Sequence, residues 1–318
     1  MRAMGVAAPG GEIAELELPV PEHTADEVLI AVQASSINPV DVHVARGFYR
    51  IGELDYPLVP GFDVSGIVER VGDAVTRFAP GDPVMGFWSR PGFRQGAWAE
   101  HVSLTTETAL VQRPSSLGPA EAAAFPLAAV TAVLAVEDVG CAPGETVLVT
   151  GAAGAVGCYA VQLAARRGAT VIATAKARDA ARVASLGAAE TIDYEREDVV
   201  EAVRRSRPAG VDALIDLVND KPELERIAEV VVGGGRVASA RFAAKSDLLA
   251  GRGITSVNVS AATVGAEALA PLVALVDSGE LSVMLTSVRP LAELPAAVEE
   301  FGRGGRGKIA IAVSRDAA

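Results

Sequence analysis

The sequence predicts an α/β fold, with a doubly wound parallel sheet flanked by a β-rich N-terminal part and a short tail of its own texture. Three observations carry this reading. From Ala120 to about Leu281, apolar β-branched runs alternate with alanine-rich helical stretches, the pattern of a parallel sheet with helices on both faces. Before Pro114 the apolar runs are short, with closely spaced Gly, Pro and Asp turn signals between them, as in a compact barrel or sandwich. After Leu281 come a helix pattern, a glycine- and arginine-rich turn and one last apolar run.

The elements follow in order. "EVLIAVQASSIN" reads as a strand, "VSGIVERVGDAV" alternates and ends in a Gly-Asp turn, and "RFAPGDPVMGF" joins a Pro-Gly-Asp turn to another short apolar run. In the middle region the expected strands are Thr146–Thr150, Thr170–Thr174, Glu190–Asp193, Val211–Asp216, Gly235–Ala240 and Ile254–Asn258. Their apolar continuity suits strands covered on both faces. The expected helices are Ala155–Arg167, Asp179–Leu186, Glu197–Ser206 and Lys221–Val231. In the tail, a helix over Leu294–Phe301 precedes a strand over Lys308–Val313. No repeat period and no low-complexity linker interrupts the chain.

Composition narrows the function classes. A chain of 318 residues, 50% hydrophobic and 21% charged, can bury two cores. Its net charge of −12 repels phosphate backbones, which argues against nucleic acid as a partner. The N-terminus lacks the apolar core of a signal peptide. The longest apolar run, Ala122 to Val136, contains Pro126 and Thr131 and is too short to span a bilayer, so it reads as one buried helix. Two cysteines, Cys141 and Cys158, imply no disulfide framework. The expectation is a soluble, cytoplasmic protein with no membrane partner.

The stretch "VLVTGAAGAVGCYAVQLAARRGATVIATAKARD" carries the chemistry. Gly151, Gly154 and Gly157 follow a strand and open a helix, within one strand-helix-strand unit. Glycine allows the tight turn and the close approach of a pyrophosphate, and the helix start offers unpaired N–H groups. The expected cofactor cradle is Gly151, Ala152, Gly154, Ala155, Val156 and Gly157 of a Rossmann dinucleotide site. The next strand decides which dinucleotide. An NAD site ordinarily ends this strand with Asp or Glu, on the ribose 2′-hydroxyl. Here it ends Thr174, Ala175, Lys176, Ala177, Arg178. Two cations without an acid suit a 2′-phosphate, so NADPH is the expected cofactor, held by Lys176 and Arg178 beside Thr174. The same two cations also read as solvated charges at a helix start.

Taken together, "ASSINPVDVHVARGFY", "PGFDVSGIVERVG" and "GAAGAVG" resemble the medium-chain dehydrogenase/reductase superfamily, and within it the zinc-independent quinone oxidoreductases and enone reductases. The likeness runs over nearly the whole length. It implies a Rossmann domain (119–281) inserted in a discontinuous β-rich, GroES-like catalytic domain (1–118 and 282–318). Zinc-dependent relatives carry a cysteine where this chain reads Ser35, Ser36, Ile37, and Gly-His-Glu where it reads Gly61, Phe62, Asp63. With both cysteines in the nucleotide half and the three histidines scattered, no zinc site can be assembled, and no metal is expected.

The resemblance also implies site residues. Asn38 and Asp41, in "INPVDVH", line the cleft near the nicotinamide and orient substrate; the pair reads as well as helix-capping turn chemistry. Tyr49 matches a cleft tyrosine able to donate a hydrogen bond, or is a packed tyrosine. His43 stands where relatives carry Tyr or Lys and is a candidate proton donor, against the plainer reading of a partly exposed hydrogen-bonder. Thr131 matches a threonine near the nicotinamide, against back-bonding within its own helix. Tyr194 matches a tyrosine stacking near the 2′-phosphate, Asn219 and Ser239 fall at strand ends facing the nicotinamide, and Arg306 and Lys308 are placed to reach the 2′-phosphate. Asp216 reads as a strand-end stabiliser, and Trp88, Phe93 and Trp98 as an apolar lid or simple packing.

The implied activity is zinc-independent hydride transfer from NADPH to a quinone or an α,β-unsaturated carbonyl. One alternative is an enoyl reductase acting on a carrier- or thioester-bound substrate. A second, outside catalysis, is an NADPH-binding sensor or structural protein. Relatives dimerise through an edge strand, here Ile254–Asn258, so a homodimer is expected by analogy.

Overall fold

The computed structural model describes residues 1–48, 54–90, 95–304 and 307–314. The chain divides into two compact units: Met1–Leu127 with Ala262–Ala318, and Ala128–Ala261.

The first unit opens with a two-stranded antiparallel sheet of β1 (Arg2–Gly5) and β2 (Ala14–Glu17). The long strand β3 (Glu27–Ser36) leads into α1 (Pro39–Ala45), followed by β4 (Asp63–Val71), β5 (Pro83–Phe87), β6 (His101–Thr105), β7 (Ala109–Gln112) and α2 (Pro119–Ala124). β3 pairs antiparallel with β4 along its length and with β6 along its first half. Its apolar residues Val28, Leu29, Ile30 and Val32 are buried, as a central strand requires.

After Phe125 comes α3 (Pro126–Val139). The expected single helix over Ala122–Val136 is therefore two. Pro126 has no N–H for the preceding turn, so α2 stops before it and α3 starts on it.

The second unit alternates β8 (Thr146–Thr150), α4 (Ala155–Arg166), β9 (Thr170–Thr174), α5 (Ala177–Ser185), β10 (Ala188–Ile192), α6 (Val199–Ser206), β11 (Val211–Asp216), α7 (Lys221–Ile227), β12 (Val231–Ser239), α8 (Asp247–Gly251) and β13 (Thr255–Asn258). The strands form one parallel sheet in the order β10-β9-β8-β11-β12-β13, the doubly wound arrangement whose order reverses between β8 and β11. β8, β9 and β11 have the bounds the apolar runs predict. The helix expected over Lys221–Val231 ends at Ile227 and tightens to a 3-10 turn over Ala228–Val230, because Val231 already pairs with Val211 as the first residue of β12.

The chain then returns to the first unit through α9 (Ala266–Asp277), β14 (Ser287–Pro290), α10 (Leu294–Gly302) and β15 (Ile309–Ala312). β15 pairs antiparallel with the last three residues of β3 and parallel with β14, completing a sheet in the order β14-β15-β3-β4-β5-β7. The unit boundaries fall at 127/128 and 261/262, against the expected 118/119 and 281/282. The shift has a packing cause. α2 buries Ala120, Ala122, Ala123 and Ala124 against β3, β4 and β15, and α9 packs on β7, so both flanking helices belong to the β-rich unit.

Candidate functional site

In the second unit the glycine turn is shaped by two positions. Gly151 has φ +70, a left-handed conformation, and a Cβ there would lie 2.5 Å from Val218 Cγ1. Gly157 has no room for a side chain: a Cβ would collide with the Gly151 carbonyl oxygen and lie 2.6 Å from Ala152 Cα. Gly154 caps α4 with no side chain to serve the first turn, so the amides of Ala155, Val156 and Gly157 face the turn without carbonyls one turn back. That donor set, beside a positive helix end, fits a pyrophosphate. Two predicted contacts are corrected here. Ala152 is buried and its N–H is given to the Thr174 carbonyl at 3.2 Å, so it is not a phosphate donor. Thr174 is also buried, and its Oγ1 accepts the Gly151 N–H at 3.1 Å. It braces the turn from behind. Arg182 on α5, unremarked in the sequence, donates to the Ala153 carbonyl at 3.0 Å and to Cys158 Sγ at 3.1 Å, and so ties α5 to the turn.

At the end of β9, Lys176 caps α5. Its ammonium lies 5.9 Å from the centre of the Tyr194 ring, which is 48% exposed. Arg178 is exposed and pairs at 3.6 Å with the buried Asp179. The structure thus gathers Lys176, Arg178 and Tyr194 at one end of the sheet. It adds a residue the sequence reading passed over: Glu195 Oε1 sits 2.5 Å from Lys176 Nζ and raises that ammonium's pKa, chiefly through this hydrogen bond. The signal in the sequence is the acid following "TIDY", one strand after β9.

At the order reversal, Thr150 and Asp216 are register partners on β8 and β11. Asp216 Oδ1 accepts Thr150 Oγ1–H at 2.5 Å and Asn219 Nδ2–H at 2.5 Å. Burial raises the Asp216 pKa against those two donors. Asn219 is therefore held by the strand end. Ser239, fully buried at the end of β12, accepts the amides of Arg241 and Ala243 at 3.2 and 3.3 Å and shapes the following turn. Thr131 is half-buried on α3.

In the first unit, Asn38 and Asp41 do come together, but inside the protein. Asp41 is fully buried. Its Oδ1 accepts the amides of Gly61 and Phe62 at 3.0 and 2.8 Å, and its Oδ2 accepts the Asn38 N–H at 2.7 Å and Nδ2–H at 3.1 Å. Asp63 Oδ2 accepts from Ser36 Oγ at 2.6 Å, Asn38 Nδ2 at 2.8 Å and Lys308 Nζ at 3.0 Å, while Oδ1 takes the Leu127 N–H at the start of α3 at 2.9 Å. Lys308 also donates to Asn38 Oδ1. Burial first, and the Asp63 charge second, push the Asp41 carboxyl up to about 7 despite its four donors. Both side-chain groups of Asn38 are thus engaged internally, and the capping reading describes this pair. The 2′-phosphate assignment of Lys308 is corrected likewise. Its ammonium is 2% exposed and committed to Asp63 and Asn38. Ser36 and Asp63, seen in the sequence only as replaced zinc ligands, are members of this network. His43 is exposed in the last turn of α1. Tyr49, Phe93 and Arg306 lie outside the described residues. Trp88 and Trp98 are buried and donate to the carbonyls of Arg90 and Ser36, each at 2.9 Å, so both pack.

Two family models match: an alcohol dehydrogenase GroES-like domain over residues 24–115 and a zinc-binding dehydrogenase over 186–311. A chloroplast envelope quinone oxidoreductase homolog of Arabidopsis thaliana is 33% identical, with 92% of each chain covered. An NADPH-dependent alkenal/one oxidoreductase of Arabidopsis thaliana chloroplasts is 34% identical over 72% of this chain and 59% of its own. A solved structure described as an NAD-dependent alcohol dehydrogenase superposes with TM-score 0.88 and 30% identity, covering 99% of this chain and all of that one. The residues at the two segments that carry zinc ligands in zinc-dependent relatives do not fit a zinc ion. Ser36 is bonded to Asp63, and the Lys308 ammonium occupies the same carboxylate oxygen; a divalent cation there would meet a positive charge instead of a ligand set.

Proposed function

Since this chain belongs to the quinone oxidoreductase branch of the medium-chain dehydrogenase/reductase superfamily, we propose that it transfers hydride from NADPH to a quinone or an α,β-unsaturated carbonyl without a metal. The observation that carries the reading is the cradle at β8 and α4: left-handed Gly151, side-chain-free Gly157 and an uncapped helix start. Lys176 beside Tyr194, past a β9 that ends without an acid, supports NADPH. The names of the two Arabidopsis relatives support the acceptor class.

NADPH supplies the hydride when bound. The amides of Ala155, Val156 and Gly157 would hold its pyrophosphate, and Asp216 fixes Asn219 at the strand ends where nicotinamide sites of this fold lie. Reduction of a quinone or enone leaves negative charge on a substrate oxygen, which hydrogen-bond donors stabilise without an ion. We assign the proton to His43, to Tyr49 or to water. Asn38, Asp41 and Lys308 hold the scaffold under α1. We further assign a homodimer through β13, the last strand of its sheet among the described residues, and a cytoplasmic setting. Among the described residues no helix is long and apolar enough to cross a membrane.

The test is NADPH consumption by the purified chain with 1,4-benzoquinone, simple enones and α,β-unsaturated thioesters, with and without EDTA. Turnover on quinones or enones that survives EDTA is the expected result. Turnover confined to thioesters would make it an enoyl reductase, and tight NADPH binding without any turnover would make it a sensor.

A further inference from the structure

Lys176 already has a partner. The carboxylate on it is delivered by a built turn: Asp193 Oδ1 accepts the Glu195 N–H at 3.1 Å, and Asp193 Oδ2 accepts the Ala177 N–H at 3.2 Å and pairs with Arg196 at 3.3 Å. Asp193 therefore pins the loop after β10 to the start of α5 and aims Glu195 at Lys176. The second cation is engaged as well: Arg178 lies 3.6 Å from Asp179, which Arg182 approaches at 3.4 Å. Lys176 and Arg178 thus each face a carboxylate. Glu195 is 53% exposed, so its side chain is free to swing.

The two forms of the cofactor make opposite demands here. A 2′-phosphate needs cations and is repelled by a carboxylate, whereas a ribose 2′-hydroxyl is a donor in need of an acceptor. β9 ends without the usual acid, yet Glu195 brings one to the same lysine from the neighbouring strand. Resting on the nucleotide reading above, we infer that Glu195 selects between coenzymes: it accepts the ribose 2′-hydroxyl of NADH, and it must leave Lys176 before a 2′-phosphate is held. The chain therefore takes both NADPH and NADH, and the carboxylate tempers its preference for the phosphorylated form.

Calorimetric titration of the full chain with NADPH and with NADH, at one fixed ionic strength, tests this on wild type and Glu195→Gln. In the variant, NADPH binds about fivefold tighter, as freeing Lys176 from an exposed ion pair allows. NADH binds about threefold weaker, as loss of a charged acceptor allows. Glu195→Asp, which keeps the charge but shortens its reach, falls between the two. If wild type binds both nucleotides and the ratio in Glu195→Gln stays within about twofold of it, the inference is overturned alone. If wild type binds neither, the nucleotide reading falls and takes this inference with it.

Discussion

The Lys308 ammonium and the Asp63 carboxylate lie 3.0 Å apart with side chains 2% and 0% exposed, joining residues 245 positions apart. The pair, with Asn38 and Ser36, fastens the C-terminal segment to the N-terminal part of the β-rich unit. Removing one partner of a buried pair leaves the other charge uncompensated, which costs far more than the pair contributes. Lys308→Met should therefore lower unfolding free energy by about 3–5 kcal/mol in urea titrations. A loss below about 1 kcal/mol would mean that water reaches Asp63.

Asp41 sets a pH dependence. Its folded pKa, about 7, lies above the ordinary 3.8. A raised carboxyl pKa favours the folded state at low pH, and that contribution fades as pH rises from about 4 through about 7. Asp41→Asn cannot titrate. The wild-type advantage in Tm over Asp41→Asn should be largest at and below about pH 4 and smallest above pH 8. A difference that stays flat, or grows with pH, would contradict the assignment.

Gly157→Ala sets two principles against each other. Alanine is the better helix former by about 1 kcal/mol. A Cβ at this position, however, collides with the Gly151 carbonyl oxygen. The turn must open to admit it, so NADPH affinity should fall at least about tenfold, since misplaced amides lose charge-assisted bonds. Calorimetry giving an unchanged Kd would show that the turn yields freely.

Thr150→Val keeps shape and removes one donor from Asp216. The expected loss is about 1–3 kcal/mol of stability, from a buried carboxylate left with one partner fewer. The Asp216 pKa, already raised by burial, should rise further, which NMR titration of the carboxyl can follow. An unmoved pKa would place the 2.5 Å contact outside the group's energetics.

Lys176→Asp should weaken NADPH by at least about tenfold while changing NADH much less, because only the former brings a 2′-phosphate to that position. Equal losses for both would remove the basis for assigning Lys176 to the phosphate.

The sequence by itself determined whatever a short window encodes. Continuous apolar runs placed β8, β9 and β11 to the residue, because strands covered on both faces have no polar side to blur them. The glycine turn and the missing acid at the end of β9 were legible for the same reason, each being a property of a few neighbouring residues. Tertiary structure alone decided which polar groups meet. Asn38 and Asp41, legible as cleft residues or as a helix cap, and Lys308, expected at the 2′-phosphate, share one buried network; Thr174, expected at the cofactor, braces Gly151; Glu195 came to Lys176 from the next strand. Hydrophobic periodicity says which side of an element is buried, but a buried charge is governed by partners that the chain brings from 25 or 245 residues away, and no local pattern records them.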